Sequence, residues 1–190
     1  MEPIPANAVY NCRMRTRCAV AVALLIVAVS CEGSQNAASG PGSGAGFSCP
    51  VTAGVAPTTA DPCFSGMLGT AFGRGPVFAI VSGASAEIVP FPTRLPAGVF
   101  ANKVAWVSRP SYVGSVEVTG RRLDAPGKAL FGPVVPPELT GLSWSFPAIN
   151  GNFEPSAAGI LAAGCYQWNV VGTGFAHRIV FRATMGSVSA

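Results

Sequence analysis

The sequence predicts an all-β domain, an antiparallel sandwich or barrel, over most of its length. The 190 residues include 23 Gly and 17 Pro, and both residue types interrupt helices and favour turns. Between them, short apolar runs recur at close spacing, and no amphipathic helix of useful length is found. Apolar and polar residues alternate most clearly at 115–119, where Val116 and Val118 are expected to share a buried face.

Eight strands are predicted after position 47, each a short run bounded by Gly, Pro or Asn: residues 77–81, 87–91, 103–108, 115–119, 129–131, 142–146, 165–171 and 178–183. The last two are expected to form a hairpin across the Gly-Thr-Gly at 172–174. In that hairpin Trp168 and Val170 share one face with Tyr166, and Gln167 points to the other.

Several stretches of the domain resemble known sequences. The run Gly-Cys-Tyr-Gln-Trp-Asn-Val at 164–170 resembles the penultimate strand of immunoglobulin-like sandwiches, where a Gly and an aromatic residue enter a buried strand. Residues 49–52, 103–109, 118–127 and 164–183 are similar to an uncharacterised group of bacterial secreted proteins and lipoproteins. The resemblance implies an antiparallel immunoglobulin-like β-sandwich and export, and it implies no activity.

The N-terminal segment has the order of a secretory signal peptide. Residues 14–31 read MRTRCAVAVALLIVAVSC, in which a basic stretch precedes an apolar run and then small residues. The apolar run, 18–29, is shorter than the roughly 20 residues that a spanning helix needs. We therefore expect residues 1–30 to be a cleaved signal. Met14 is the expected true start, and a long basic region from Met1 is the alternative.

The end of this segment resembles the lipobox of bacterial lipoproteins. The residues Val-Ala-Val-Ser-Cys stand at 27–31, and in that family the Cys thiol is alkylated with diacylglycerol and the signal is cut just before it. The resemblance implies lipidation of Cys31, with palmitate among the added lipids, and an extracytoplasmic place in a bacterial membrane or cell envelope. Ala28 stands where the commonest form has Leu. The alternative is an ordinary signal cut near Ser30, which leaves Cys31 as a thiol.

Residues 31–46 are expected to tether the domain that occupies 47–190. The stretch EGSQNAASGPGSGAG is small and polar, which predicts a flexible linker spanning about 20–25 Å on average. In an oxidising compartment the domain would then hold three cysteines, which allow one internal bridge. We favour Cys49–Cys165, which would join the start of the domain to a central strand. The pairs Cys63–Cys165 and Cys49–Cys63 are the alternatives.

Composition and motifs argue against several kinds of chemistry. One His and no paired-cysteine motif argue against a zinc site. A net charge of +4 is too small and too dispersed to predict nucleic-acid binding. Any Ser-His-Asp mechanism would have to use His177, and the sequence contains no Gly-x-Ser-x-Gly elbow. We expect no cofactor, no metal and no catalytic residue.

The exposed turn at 121–127, Arg-Arg-Leu-Asp-Ala-Pro-Gly, is the candidate ligand-binding segment. Adjacent residues of a strand point to opposite faces, so Arg121 and Arg122 cannot serve the same surface. One Arg is expected to pair with Asp124 and stiffen the turn, and the other would meet an anionic ligand through its guanidinium fork.

Together these features favour a membrane-anchored extracytoplasmic lipoprotein that acts as a non-enzymatic binding or envelope-interaction module. Its expected partners are the membrane, through the lipid, and an envelope protein or glycan. Two other hypotheses stay open. One is a secreted hydrolase-like enzyme in which the fold brings a serine to His177, and the other is a purely structural spacer.

Overall fold

The computed structural model describes residues 47–64, 66–135, 138–149 and 153–186, and it shows a sandwich of two β-sheets. The predicted signal peptide, lipobox and linker lie outside the described residues. The described residues form eleven strands: β1 Thr70–Phe72, β2 Val77–Val81, β3 Ile88–Phe91, β4 Thr93–Arg94, β5 Phe100–Ser108, β6 Val113–Arg122, β7 Leu130–Gly132, β8 Ser143–Ile149, β9 Phe153–Ile160, β10 Gly164–Gly172 and β11 Phe175–Met185. Helical structure in this part is limited to the single turn α1, Pro57–Ala60, and 3₁₀ turns at Pro62–Phe64 and Pro96–Gly98.

The strands divide into two sheets. The first has the order β1-β2-β5-β9-β7, with β4 also pairing with β5, and the second has the order β3-β11-β10-β6-β8. All pairs are antiparallel except β3 with β11, which is parallel. This is the sandwich architecture of immunoglobulin-like domains, so the predicted fold class is confirmed, with one parallel pair at the edge of the second sheet.

Aromatic side chains fill the space between the sheets. Trp106 of β5 and Trp168 of β10 are both fully buried, and their ring centroids lie 5.4 Å apart. Phe181 of β11 packs 4.4 Å from Trp168. Val116 and Val118 of β6 lie in the same buried cluster, as their alternation predicts.

The outer side of the first sheet is partly covered as well. Phe64, from the segment that carries α1, packs edge-on against Phe78 of β2 at 5.4 Å. Arg109 forms an ion pair with Asp61 of that segment at 3.2 Å. Because both faces of β2 are therefore covered, all five of its residues are buried, and the strand is a continuous apolar run in the sequence.

Every predicted strand is present, with ends displaced by a few residues at most, and three strands were not predicted. Of these, β1 and β4 are only three and two residues long. The third, β9, has the sequence FEPSAAGI, in which Pro and small residues suggest a turn. It is nevertheless buried over Ser156–Ile160, because Ala158 and Ile160 face the space between the sheets and Ala157 packs with residues on the outer side of its own sheet.

Candidate functional site

A disulfide joins Cys49, at the start of the described domain, to Cys165 on a central strand. The two Cα atoms lie 5.6 Å apart and the cysteines are 116 positions apart in the chain. The predicted bridge is confirmed, and both alternative pairings with Cys63 are wrong. Cys165 lies on β10 and faces away from the core, so the bridge holds Cys49 on the outer face of the second sheet.

The chain that follows Cys49 crosses this outer face toward the edge of β11. The Thr52 N–H donates to the Val180 carbonyl at 2.7 Å, and the Val180 N–H donates to Thr52 Oγ1 at 3.0 Å. Val180 and Gln167, which face away from the core, are nevertheless buried. Gln167 thus lies on the face predicted for it, but the crossing segment turns part of that face into interior.

Arg122, one of the two adjacent arginines, stabilises the turn beside the disulfide. Arg122 Nε lies 2.6 Å from Asp124 Oδ1, and Asp124 Oδ2 accepts the Cys165 N–H at 3.1 Å. The hydrogen bond from Arg122 is the main reason that the pKa of Asp124 lies below its usual range. A Cβ on Gly164 would stand 2.6 Å from Arg122 Nε, so only glycine fits beneath the pair.

The other arginine, Arg121, is exposed on the outer face of the second sheet. It stands directly opposite Lys128 in an antiparallel bridge. The flanking hydrogen bonds, Arg122 N–H to Gly127 O and Ala129 N–H to Gly120 O, make this a non-hydrogen-bonded pair, in which Cα atoms approach to about 4.5 Å. Like charges placed directly opposite in this way are destabilising.

Two further arginines of β11, Arg178 and Arg182, are exposed on the same outer face, on either side of Val180. We refer to Arg121, Lys128, Arg178 and Arg182 as the basic face. Within the described chain, none of the four forms an ion pair. Arg121 was predicted as a ligand-binding residue and the other three were not. Lys128 is brought opposite Arg121 by the local turn, and Arg178 and Arg182 join the face through the order of the strands.

His177 lies at the other end of β11 and points toward the core side of the sheet, beside Phe175, whose ring centroid is 5.7 Å away. Gly73, with a φ of +107°, passes so close that a Cβ there would stand 2.9 Å from His177 Nε2. Both ring nitrogens are buried and lack a hydrogen-bond partner among the described residues. The described chain therefore places no Ser and Asp around His177 in the arrangement that a triad requires.

Burial of His177 makes the stability of the protein depend on pH. Desolvation, helped by the nearby positive charge of Arg74, lowers the pKa of His177 below its ordinary 6.5. The unfolded chain then binds a proton more readily than the native protein, so stability is full above about pH 6.5 and declines as the pH falls toward the native pKa. We expect His177→Phe to flatten the loss of unfolding free energy between pH 7.5 and 5, measured by urea denaturation.

Arg74→Gln is the matched control for that measurement. It removes the second cause of the lowered pKa but leaves the burial of the imidazole, so the decline in stability should become shallower without disappearing. An unchanged decline in the His177→Phe protein would show that His177 does not cause it.

The outer face of the first sheet contains a cleft, which forms where β5 changes partner. On one edge β5 pairs with β2 from Val104 onward and with β4 at Phe100 and Ala101, so Asn102 and Lys103 face a gap between the two strands. The Asn102 side chain closes the gap. Its Nδ2 donates to the carbonyls of Ser82 and Pro90, and its Oδ1 accepts the Lys103 N–H at 2.7 Å.

The cleft encloses a cavity of about 90 Å³. Ala101 and Ala157 are buried small residues in its lining, and Leu95 and Val134 are partly buried ones. Lys103 is the charged lining residue; it is exposed and stands opposite Ala157 in the register. An apolar depression beside one ammonium group is suited to a small anionic group that carries a short apolar part. Sequence reasoning missed this site, because it depends on which strands pair.

Two other features are absent from the described residues. No cluster of three or more His, Cys, Asp or Glu side chains there could hold a metal ion. In the same part of the chain, no helix combines the length and the apolar character needed to span a bilayer.

Comparisons with known proteins give likenesses only at the level of solved structures. No family model and no curated protein sequence matches the chain. The ASH/PapD-like domain 7 of human CEP192 is similar over 59% of this chain and 86% of its own length, at 13% identity and a TM-score of 0.31. A family 123 glycoside hydrolase from Clostridium perfringens is similar over 60% of this chain, at 8% identity and a TM-score of 0.35, and the match spans 28% of the hydrolase. Neither likeness bears on function.

Proposed function

We propose that this protein is exported, is anchored to a bacterial membrane through lipid on Cys31, and acts there as a non-enzymatic binding module. The disulfide between Cys49 and Cys165 carries the proposal, because disulfides persist in oxidising, extracytoplasmic compartments. The lipobox-like residues 27–31 supply the anchor. A lipobox cysteine receives more than one acyl chain, which holds a protein stably where a single chain does not.

The cleft beside Lys103 is the surface at which we place binding of an envelope partner. Its buried alanines and its exposed ammonium group fit an anionic group on a protein or a glycan. The buried, unpartnered imidazole of His177 does not favour the hydrolase alternative. A partner of a tethered module can bind weakly and still be captured, because anchoring raises its effective concentration.

Anchoring is tested by Cys31→Ser in the native host, with metabolic labelling by radioactive palmitate and with fractionation after a high-salt wash, which releases protein held at the membrane by charge alone. We expect the variant to move from the membrane pellet to the soluble fraction and to lose the label. Cys18→Ser is the matched control, since it removes a thiol from the same N-terminal segment outside the lipobox-like residues, and it should keep both properties. Unchanged pelleting and labelling of the Cys31→Ser protein would refute the anchor.

Binding at the cleft is tested by placing a photo-crosslinking amino acid at position 103 in cells. The matched control places it at Ser111, which is exposed in the turn between β5 and β6. We expect one discrete adduct from position 103 and none from position 111. Identical adducts from the two positions, or none from either, would remove the cleft from the proposal.

A further inference from the structure

The basic face combines four cations at a cost to the stability of the fold. Arg121 and Lys128 are held directly opposite each other, where their repulsion is unfavourable. An anionic partner at this face would offset the repulsion. We propose that the basic face binds the anionic lipid headgroups of the membrane that carries the protein. This inference rests on the proposed lipid anchor.

The basic face has four cations and three acidic residues near it. Glu87 is exposed beside Arg182, whose N–H donates to the Glu87 carbonyl. Glu117 is an exposed acid on the same side of β6, four residues from Arg121 and therefore about 13 Å away along the strand. That separation exceeds the Debye length of about 8 Å at physiological salt. Asp124 is already paired with Arg122. Each unpaired Lys or Arg beside an anionic leaflet increases binding roughly five-fold, so four cations form an effective membrane contact.

The position of Cys49 connects the basic face to the anchor. The disulfide fixes Cys49 on the same outer face, beside the strand that carries Arg178 and Arg182. The sequence between Cys31 and the domain predicts a tether that spans about 20–25 Å on average. A lipid on Cys31 would therefore hold this face within reach of the headgroups, where a weak attraction is enough to orient the domain.

Contact between the basic face and the membrane would also set the direction in which the cleft points. The cleft lies on the outer face of the first sheet, and the basic face lies on the outer face of the second. In a sandwich these two surfaces point in opposite directions. A membrane bound by the basic face would leave the Lys103 cleft directed away from the bilayer and open to a partner.

The test uses the full chain carrying Cys31→Ser, so that no lipid contributes, in sedimentation with vesicles of zwitterionic lipid alone or with about one-third anionic lipid. Zwitterionic vesicles give the baseline of the apolar N-terminal run. We expect anionic lipid to increase binding, and Arg121→Gln with Lys128→Gln to reduce that increase about thirty-fold. The same pair of changes should raise the free energy of unfolding slightly, because it relieves the repulsion.

The matched control is Arg74→Gln with Arg94→Gln, which removes two exposed positive charges from β4 and from the turn between β1 and β2, outside the basic face, and should leave vesicle binding unchanged. An equal loss in the control, no dependence on anionic lipid, or equally tight binding to a single-stranded oligonucleotide would overturn the proposal. Failure of the anchor has a different signature, because native protein would then carry no palmitate label and would leave the membrane in a high-salt wash, whatever the vesicle result.

Discussion

Loss of the disulfide should lower the free energy of unfolding by about 4–5 kcal/mol, measured by urea denaturation of the Cys49→Ala, Cys165→Ala protein. The bridge joins residues 116 positions apart, and closing a loop of that length removes this much chain entropy from the unfolded state. Natural domains are stable by only about 5–15 kcal/mol. The variant should therefore be close to unfolding at 37 °C, and the wild-type domain should fold poorly in a reducing compartment.

Single and double cysteine variants test whether the loss of stability comes from the bond itself. Cys49→Ala and Cys165→Ala each remove the same bond, so either one should cost nearly as much as both together. Reductant should destabilise the wild-type protein and have no further effect on the double variant, which serves as the control. Equal stability of the oxidised and reduced wild-type protein would contradict the assigned role of the bridge.

The strands were predictable wherever a local pattern set them. The apolar run of β2 and the alternation around Val116 and Val118 indicate strands without knowledge of any neighbour. In β9, Ala158 is buried in the cluster between the sheets, and Ala157, on the other face, packs with Val99 and Leu139 from other parts of the chain. A sequence of small residues does not reveal such neighbours, so β9 could not be predicted from its own residues.

The same distinction separates the sites that were predicted from those that were not. Arg122 and Asp124 are two positions apart, so their pairing follows from turn chemistry. The cleft beside Lys103 depends on the gap between β2 and β4. The basic face joins Arg121 to arginines more than fifty positions away in the chain. Neither site is complete without the order of the strands, which no local pattern reveals.

Truncation of Trp168 should be the other large effect, a loss of about 3–5 kcal/mol for Trp168→Ala. The side chain is fully buried between the sheets. It contacts Phe181 at 4.4 Å and Trp106 at 5.4 Å between ring centroids, and neighbours on paired strands cannot collapse into the space it leaves. Urea denaturation measures the loss, and a cost below about 1 kcal/mol would show that the core is not packed around this ring.

Conservative replacement of the two central tryptophans should separate packing from hydrogen bonding. Trp106 and Trp168 are equally buried, but Trp106 Nε1 donates to Ser156 Oγ at 2.8 Å, whereas Trp168 Nε1 has no partner among the described residues. Trp106→Phe leaves a buried hydroxyl without its donor, and Trp168→Phe removes a polar group that was unsatisfied. An unsatisfied buried group costs about 1–3 kcal/mol. Trp106→Phe should therefore lower the free energy of unfolding by about that much more than Trp168→Phe does. Equal costs for the two variants would mean that the Trp106–Ser156 bond contributes nothing, and that packing alone fixes the centre of the sandwich.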